Sequence, residues 1–287
     1  MKELRIIFRT IEKYRMVEEG NVIYVAVSGG KDSAAALFGL CEYVKQHRIN
    51  ARIKAFHIDL FGGKAENVLK AVKKQAELCS AELRVFDVRK ELGKDFIKKI
   101  RDSRRAICSV CGVIKRYFMN KIPREEGVKK LATGHCANDF ALFFLKNLAG
   151  KKFDWIAKFE PFLESEHVKL IAKIRPLFFT TEIETEKICK EHGIPFVKTE
   201  KCALLEKLKC EHGKTTLLLK NCIKEIDVKN REFLRALVSG VEKLVNEIKP
   251  AEKEGEFKEC RICGEPTSSE ICAFCKIFKD EKQPNFS

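Results

Sequence analysis

The chain has 287 residues, enough for one substantial α/β domain with smaller additions, and 45% of them are hydrophobic. That apolar fraction is ordinary for a globular protein and argues against a largely disordered chain. The formal net charge of +15 predicts a polyanionic partner, most simply nucleic acid. A charged fraction of 34% is also typical of thermophile surfaces, although these tend to balance the two signs.

Export and membrane insertion are not expected from the sequence. No apolar run approaches the ~20 residues of a transmembrane helix, and the start of the chain, with Glu3, lacks the features of a signal peptide. We therefore expect a cytoplasmic protein without a membrane partner. In such a protein, 13 cysteines indicate metal ligands rather than disulfides.

Apolar periodicity predicts alternating strands and helices over the first half of the chain. After an opening amphipathic helix, the predicted strands are 22–27, 52–60, 82–88 and 130–133. The predicted helices are 33–47, 65–78, 91–100, 113–126 and 139–148. This order indicates an α/β fold, with a Rossmann-like parallel sheet covered by helices on both faces.

The second half of the chain gives weaker signals. Residues 168–176 predict a strand, residues 181–192 a helix closed by Gly193, and residues 217–248 one or two helices. We divide the chain into an N-terminal helix (1–20), a catalytic domain (21–200), a helical extension (201–250) and a C-terminal cysteine module (256–279).

The segment SGGKDS at residues 28–33 has the composition of a phosphate-binding loop. Glycines at a strand-to-helix junction let backbone N–H groups approach an anion, and the helix N-terminus adds a favourable dipole. Lys31 supplies a positive charge, and Asp32 can cap the helix or help to hold Mg²⁺. The spacing is not that of a Walker A loop. An ordinary tight turn would need only the two glycines.

Two cysteines, Cys108 and Cys111, stand just before the predicted helix 113–126. A helix N-terminus lowers the pKa of a cysteine and favours the thiolate, which binds metal or attacks an electrophile. The pair alone is compatible with a redox disulfide, half of a zinc site, part of an iron–sulfur cluster or no special role. The basic residues around it, which suit an anionic substrate or a solvated surface, are Arg101, Arg104, Arg105, Lys115 and Arg116.

Near the C-terminus, CRICGEPTSSEICAFC contains two C-x-x-C pairs separated by a short loop. Their cysteines are Cys260, Cys263, Cys272 and Cys275. Four thiolates at this spacing are typical of a tetrahedral structural Zn²⁺ site. A second iron–sulfur cluster is the alternative.

Four motifs together resemble the TtcA/TtuA family of PP-loop tRNA thiolation enzymes over roughly residues 20–230. They are SGGKDS (28–33), CSVCGVIKRY (108–117), ATGHCANDF (132–140) and EKCALL (200–205). The resemblance implies the PP-loop ATP pyrophosphatase fold and cleavage of ATP between its α- and β-phosphates, with adenylation of a substrate oxygen. The terminal cysteine module and CGVIKRY resemble the TtuA type more than the TtcA type, which favours uridine over cytidine.

The resemblance also implies an iron–sulfur centre. A 4Fe-4S cluster would be held by Cys108, Cys111 and Cys202, and its open iron would carry the sulfur to be transferred. Cys210 and Cys222 are rival third ligands. From the residues alone, an incomplete zinc site remains an alternative.

Further roles follow from the match to the family. Lys115 matches its catalytic lysine and Asp139 its catalytic acidic residue, although a helix cap is an alternative role for Asp139. Asn138 and Cys136 depart from the family pattern, and their roles stay open. The predicted ATP-binding residues are Ser28, Gly29, Gly30, Lys31, Asp32, Ser33, His57, Gly134 and His135.

The implied reaction is tRNA 2-thiolation, in which a uridine O2 attacks the α-phosphate of ATP, sulfur then attacks C2, and AMP leaves. It requires ATP, Mg²⁺, tRNA and a sulfur donor, either a ubiquitin-like thiocarboxylate protein or sulfide, and the family suggests a homodimer. Position 34 and position 54 of tRNA are both open. The alternatives are 2-thiocytidine synthesis, a PP-loop amide or amine ligase acting on a small molecule, and a nucleic-acid-binding zinc protein.

Overall fold

The computed structural model describes residues 2–60, 65–93, 95–103, 105–198, 213–248 and 257–278. The strands are β1 (Val22–Ala26), β2 (Arg52–Asp59), β3 (Glu82–Asp87), β4 (Lys130–Thr133), β5 (Phe162–Leu163), β6 (Ala172–Ile174), β7 (Lys258–Glu259) and β8 (Pro266–Thr267). The helices are α1 (Lys2–Lys13), α2 (Lys31–His47), α3 (Glu66–Leu78), α4 (Val88–Leu92), α5 (Phe96–Asp102), α6 (Ile107–Glu125), α7 (Ala137–Ala149), α8 (Phe153–Ile156), α9 (Glu182–Glu191), α10 (Lys214–Lys229), α11 (Arg231–Ile248) and α12 (Cys275–Phe278).

The central sheet has the strand order β3-β2-β1-β4-β6-β5. All neighbours are parallel except β5, which pairs antiparallel with β6 at the edge. The sequence VIYVA of β1 is apolar at every position because a parallel strand in the middle of a covered sheet is buried on both faces. The predicted mainly parallel α/β sheet is therefore confirmed, whereas the antiparallel edge strand gave no sequence signal.

Alternate residues of β1 enter two different cores, as the period of two in a strand requires. Ile23 and Val25 pack with buried residues of α1, α2 and α9 on one face. Tyr24 and Ala26 pack with α5, α6 and the terminal cysteine module on the other. A third core joins α7 to α10 and α11. The expected helices on both faces are thus present.

Two predicted helices begin or end elsewhere in the structure. The predicted helix 91–100 is two helices, because Asp87 accepts the N–H groups of Arg89 and Lys90 and starts α4 early, and Gly93 ends it at φ 76°. The predicted helix 113–126 starts six residues earlier, as α6 (Ile107–Glu125). Cys108 and Cys111 therefore lie within α6 and not before it.

The later helices agree with the sequence pattern. The Thr181 N–H donates to the Glu184 carboxylate at 3.0 Å at the start of α9, and Gly193 follows its end with φ 62°. Segment 217–248 resolves into α10 and α11, which meet at Asn230. Among the residues described, none of the helices has the length and apolarity needed to cross a membrane.

Candidate active site

The phosphate loop and the ATGHCANDF motif meet at one point of the sheet. The loop follows β1 and the second motif follows β4, and these two strands are parallel neighbours. From β1 the chain continues to β2 and β3 on one side and returns to β4 on the other, so the strand order reverses between β1 and β4. Open α/β sheets bind ligands outside the carboxyl ends of their strands at such a switch point.

Ser33 holds the phosphate loop in shape. Its hydroxyl accepts the Ser28 N–H at 3.0 Å and lies 3.1 Å from both the Ser28 hydroxyl and the Gly30 carbonyl. Gly30 is the N-cap residue of α2 and offers no side-chain acceptor. The first N–H groups of α2 therefore have no side-chain cap, which is the arrangement that receives a phosphate at a helix N-terminus.

Gly29 is fixed by groups that are distant in sequence. It has φ +82°, and a Cβ there would lie 3.0 Å from Val68 Cγ1. Its carbonyl accepts the Gln75 side-chain amide at 3.2 Å and the Val197 N–H at 2.9 Å. Gln75 is a functional neighbour that the sequence did not indicate, because a glutamine within a helix carries no signal of its own.

Gly134 lets the turn after β4 touch the first turn of α2. A Cβ on Gly134 would lie 2.6 Å from the Ser33 backbone N and 2.7 Å from Ser33 Cα. Backbone atoms cannot move aside as a flexible side chain can, so only glycine fits. This contact brings the two predicted nucleotide-binding segments together.

His135 lies at the mouth of this cleft. Its Nδ1 is 3.0 Å from the Thr133 hydroxyl, and its ring is near Phe140 and Phe143. Although part of the side chain is exposed, desolvation in the cleft and then the charge of Arg175 lower its pKa to about 4. His135 is therefore neutral at pH 7 and suits a contact with a neutral group, such as a nucleobase.

Lys31 is surrounded by carboxylates. Its Nζ is 2.7 Å from Asp32 and 3.6 Å from Glu182, while the Thr185 hydroxyl also donates to Asp32. Burial opposes the charge of Lys31, but the two carboxylates outweigh it and raise its pKa. Burial raises the pKa of Glu182 as well, against the effect of Lys31. Carboxylate oxygens of this kind are suitable Mg²⁺ ligands.

Asp139 has the helix-capping role that the sequence left as an alternative. Its carboxylate accepts the Cys136 N–H at 3.1 Å at the start of α7. Burial and, among the charges, nearby Asp32 raise the pKa of Asp139, against the hydrogen bonds from Cys136.

The two departures from the family motif are structural. The Asn138 amide donates to Asp227 at 3.1 Å and its oxygen accepts the Glu182 N–H at 2.9 Å, so it ties α7 to α9 and α10. Cys136 is fully buried. Burial and then the Asp139 charge raise its pKa well above the ordinary value and favour the neutral thiol.

Cys108 and Cys111 are three residues apart on α6 and share one helical face. Cys108 is exposed and Cys111 is half-buried. The guanidinium of Arg116 folds back over Gly112, 3.1 Å from the position of a Cβ there. Burial lowers the Arg116 pKa and Cys111 opposes this shift, so cation and thiol are neighbours.

Lys115 connects the cysteine pair to the sheet. It is close enough to His57 on β2 that its charge, after burial, contributes to the lowered pKa of that histidine. His57 is buried and its Nδ1 is 2.7 Å from the Val27 carbonyl, immediately before the phosphate loop. His57 therefore contacts the chain just before the loop and is within reach of the Lys115 charge.

Two further cations, Lys173 and Arg175, were not singled out from the sequence. Burial, then Arg175 and Arg116, lower the pKa of Lys173 to about 8. The Arg175 guanidinium stands 5.2 Å from the centre of the Phe140 ring, beside α7. Together with Arg116 they form a group of cations at the end of β6, suited to phosphate. The sequence feature that could have indicated them is their position at the end of a short predicted strand.

Several predicted residues fall outside the part of the chain that is described. They are Arg104, Cys202 and Cys210. The remaining rival third ligand, Cys222, is exposed on α10, which packs against α7, α9 and α11. The choice of Cys202 therefore stays a prediction.

The four cysteines of the terminal module converge on one point. Their Sγ atoms all lie within 4.8 Å of one another, and within the described ranges they are the one group of His, Cys, Asp and Glu ligand atoms this close together. Bonds of about 2.3 Å from zinc to sulfur place tetrahedral sulfurs about 3.8 Å apart. Cys263 and Cys272 are 3.7 Å apart, and the Cys272 N–H donates to Cys260 Sγ at 3.2 Å. The module fits a tetrahedral metal ion.

The terminal module is docked on α6, the helix that carries the cysteine pair. The rings of Tyr117 and Phe274 stack at 3.8 Å with 6° between their planes. Glu265 forms an ion pair with Arg124 and accepts the Asn120 amide at 3.3 Å. The module and the cysteine pair thus share one rigid support.

Residues 4–203 match the family model of the PP-loop domain. The chain is 35% identical to the tRNA-5-methyluridine(54) 2-sulfurtransferase of Pyrococcus horikoshii, over 98% of this chain and 86% of that protein. The chain belongs to the PP-loop family of tRNA sulfurtransferases. The Thermotoga maritima enzyme of the same name is 32% identical, over 96% and 87% of the two chains.

A solved structure shares the fold. The U34-tRNA thiolase NcsA from Methanococcus maripaludis, with its 4Fe-4S cluster, has a TM-score of 0.77 at 22% identity. The alignment covers 99% of this chain and 91% of that one. The predicted PP-loop family and fold are therefore confirmed.

Proposed function

We propose that this protein is an ATP-dependent tRNA sulfurtransferase that converts the uridine at position 54, in its 5-methylated form, to the 2-thio derivative. The observation that carries the proposal is the placement of α6. This helix carries Cys108, Cys111 and Lys115, and the charge of Lys115 reaches His57, which contacts the Val27 carbonyl just before the phosphate loop. This link supports activation and sulfur delivery at one base. Position 54 is favoured by the P. horikoshii and T. maritima relatives, which act there.

Adenylation takes place at the phosphate loop. The uridine O2 attacks the α-phosphorus of ATP, the bond to the β-phosphate oxygen breaks, and pyrophosphate is held by the N–H groups at the start of α2. Lys31 exchanges its contacts with Asp32 and Glu182 for phosphate oxygens, and these carboxylates become available as Mg²⁺ ligands. Neutral His135 borders the base or the adenine.

Sulfur delivery is assigned to the cysteine pair. Cys108 and Cys111, with Cys202 as the expected third ligand, would hold a 4Fe-4S cluster. When bound, such a cluster leaves one iron open to carry sulfur. The nearby cations Lys115 and Arg116 stabilise the negative charge that develops as sulfur attacks C2 and AMP leaves. Asp139 is placed to exchange a proton at the loop.

Other parts of the chain have supporting roles. The terminal module would bind Zn²⁺ and brace α6, and the cations Lys173 and Arg175 would hold the tRNA backbone. The proposed units are the N-terminal helix (1–20), catalytic domain (21–200), helical extension (201–250) and module (256–279). A tRNA substrate implies a cytoplasmic protein. Sulfide or a ubiquitin-like thiocarboxylate is the proposed donor, and a homodimer the proposed assembly.

The test is an anaerobic assay with reconstituted protein, ATP, Mg²⁺, sulfide and a tRNA that carries 5-methyluridine at position 54. Mass spectrometry of the digested tRNA should show 5-methyl-2-thiouridine that depends on ATP and disappears with Lys31→Ala. Replacing uridine 54 of the tRNA by adenosine should abolish the product, whereas the same change at position 34 should not. Pyrophosphate release that proceeds equally without tRNA would instead favour a small-molecule ligase.

A further inference from the structure

The connection between α7 and β5 exposes large apolar side chains. Each residue from 148 to 155 is exposed. In this stretch Trp155 is 57% exposed, Phe153 55% and Leu148 45%. A contiguous exposed patch of this kind on an otherwise folded surface marks an interaction site.

The same stretch is strongly basic. Lys151, Lys152 and Lys158 are exposed around the two aromatic rings, and the only acidic residue between 148 and 158 is Asp154. Protein partners prefer interfaces that are poor in lysine. A membrane-surface helix needs a much longer amphipathic segment than the four residues of α8. Aromatic faces among lysines are instead typical of surfaces that bind unpaired nucleotides.

The patch stands on a rigid support. Ile156 and Phe159, the residues next to it in sequence, are buried, and the Phe159 ring is 5.8 Å from that of Phe140 on α7. Below it, the Arg175 guanidinium donates to the Lys158 carbonyl at 2.8 Å. Trp155 is therefore held outward by anchored neighbours, so little conformational entropy is lost when a ligand stacks on it.

The patch is continuous with the active site. Arg175 contacts the patch through Lys158 and lies over Phe140, one turn from the phosphate-loop end of α7. Lys158 is also close enough to Lys173 to contribute, after burial and the two arginines, to the lowered pKa of that lysine. Cations therefore run from Arg116, beside the cysteine pair, to the exposed rings.

We propose that Phe153 and Trp155, with the lysines around them, form an RNA-docking surface that binds an unpaired base of the tRNA by stacking. This inference rests on the proposed function, which supplies tRNA as the RNA. The surface would hold nucleotides flanking the modified one, while the lysines bind the intervening phosphates. It would set the register in which the target base enters the cleft.

The experiment measures binding of fluorescently labelled tRNA transcript to the reconstituted protein by anisotropy. Trp155→Ala should raise the Kd by about 5- to 100-fold, the range expected for the loss of one base–aromatic stack. Trp155→Phe should restore most of the affinity. Phe233→Ala, at a ring that is 53% exposed on α11, is the matched control and should bind like the wild type.

Two further readouts separate stacking from charge. Trp155 is the single tryptophan of the chain, so tRNA should quench the intrinsic fluorescence of the wild type directly. The double variant Lys151→Gln, Lys152→Gln should reduce the slope of log K against log salt by about 1–2. Its circular dichroism should be unchanged, since both side chains are exposed.

The outcomes distinguish the surface from the function. If Trp155→Ala binds tRNA within about twofold of the wild type, the docking surface is wrong, and continued thiolation by both proteins would leave the proposed function standing. If the substitution changes the oligomeric state in sedimentation and not the tRNA affinity, the patch is a contact between copies of the chain. If the wild type binds no tRNA, the proposed function fails together with the surface.

Discussion

The same C-x-x-C spacing occurs in two different environments of this chain, once on α6 and twice in the terminal module. In the terminal module the Sγ atoms of four cysteines converge within 4.8 Å, and three of the four residues are buried. In the pair on α6, Cys108 is exposed, Cys111 is half-buried, and the Arg116 cation is near Cys111. The first region brings four cysteines together, whereas the second presents two, one of them exposed.

In the proposed function, this difference separates a structural site from a reactive one. A metal with four protein ligands has no position left for a substrate, while a centre with fewer protein ligands keeps one open. Spacing alone does not make this distinction, because both motifs read alike in the sequence. Burial and neighbouring charge distinguish the two kinds of cysteine site. Both regions contact the same helix, α6.

The largest expected effect is the loss of thiolation in Cys108→Ser and in Cys111→Ser. Removing a ligand of the proposed sulfur-carrying centre should abolish product, whereas the stability of Cys108→Ser, at the exposed cysteine, should change by no more than about 0.5 kcal/mol, as for other surface substitutions. Mass spectrometry of tRNA nucleosides and thermal unfolding of the cluster-free proteins measure the two quantities. Cys79→Ser, at a half-buried cysteine that follows α3 and is not a candidate ligand, is the control. Full activity in either variant would remove the pair from the mechanism.

For Cys275→Ser in the module, we expect the main effect on the stability of the protein. The structural zinc proposed for the module would contribute folding energy directly, so the loss should be on the order of 5 kcal/mol. It includes the packing of Phe274 on Tyr117 of α6 and of Phe278 on Phe96 of α5. Thermal unfolding with and without a chelator measures it. A chelator that leaves the unfolding midpoint of the wild type unchanged would contradict a structural metal in the module.

A smaller effect is expected where the two regions are joined. Glu265→Gln keeps the shape of the side chain but removes the charge that faces Arg124, and should cost about 1–3 kcal/mol. Glu259→Gln, at an exposed pair with Lys169, is the matched control and should change stability less. Urea unfolding compares them. Equal costs would mean that the module is only loosely attached to α6.

The smallest expected effect is a pH dependence of the folding stability, which arises from His57 on β2. Burial, and then Lys115, lower the pKa of His57 in the folded state, so the unfolded chain binds the proton more readily. Stability should therefore fall as the pH decreases through the unfolded value of about 6.5. His57→Gln should lack this component in urea titrations at several pH values. Identical pH profiles for the two proteins would refute it.

Short sequence segments were sufficient to find motifs in which residues of characteristic chemistry occur at a characteristic spacing. The phosphate loop, the α6 pair and the four-cysteine module were all recognised from short segments, and the strand at residues 130–133 was predicted at its observed bounds. Periodicity did not reveal that α6 begins at Ile107, because its first turn is stabilised by packing and not by a capping residue.

Contacts between distant segments could not be predicted. Gly134 is required because of backbone atoms of Ser33, and Asn138 has its partner 89 residues away in Asp227. The docking of Glu265 on Arg124 likewise joins residues 141 positions apart. A single sequence contains the residue types for these contacts but not their pairing.

The central claim is that the α6 pair holds an iron–sulfur centre while the terminal module holds a separate structural metal. Its most direct test is metal analysis with visible spectroscopy of anaerobically reconstituted protein. The wild type should contain about four irons and one zinc, and the double variant Cys108→Ser, Cys111→Ser should retain zinc but lose iron and colour. Iron that persists in that variant, or that is lost only with Cys260→Ser, would contradict the assignment.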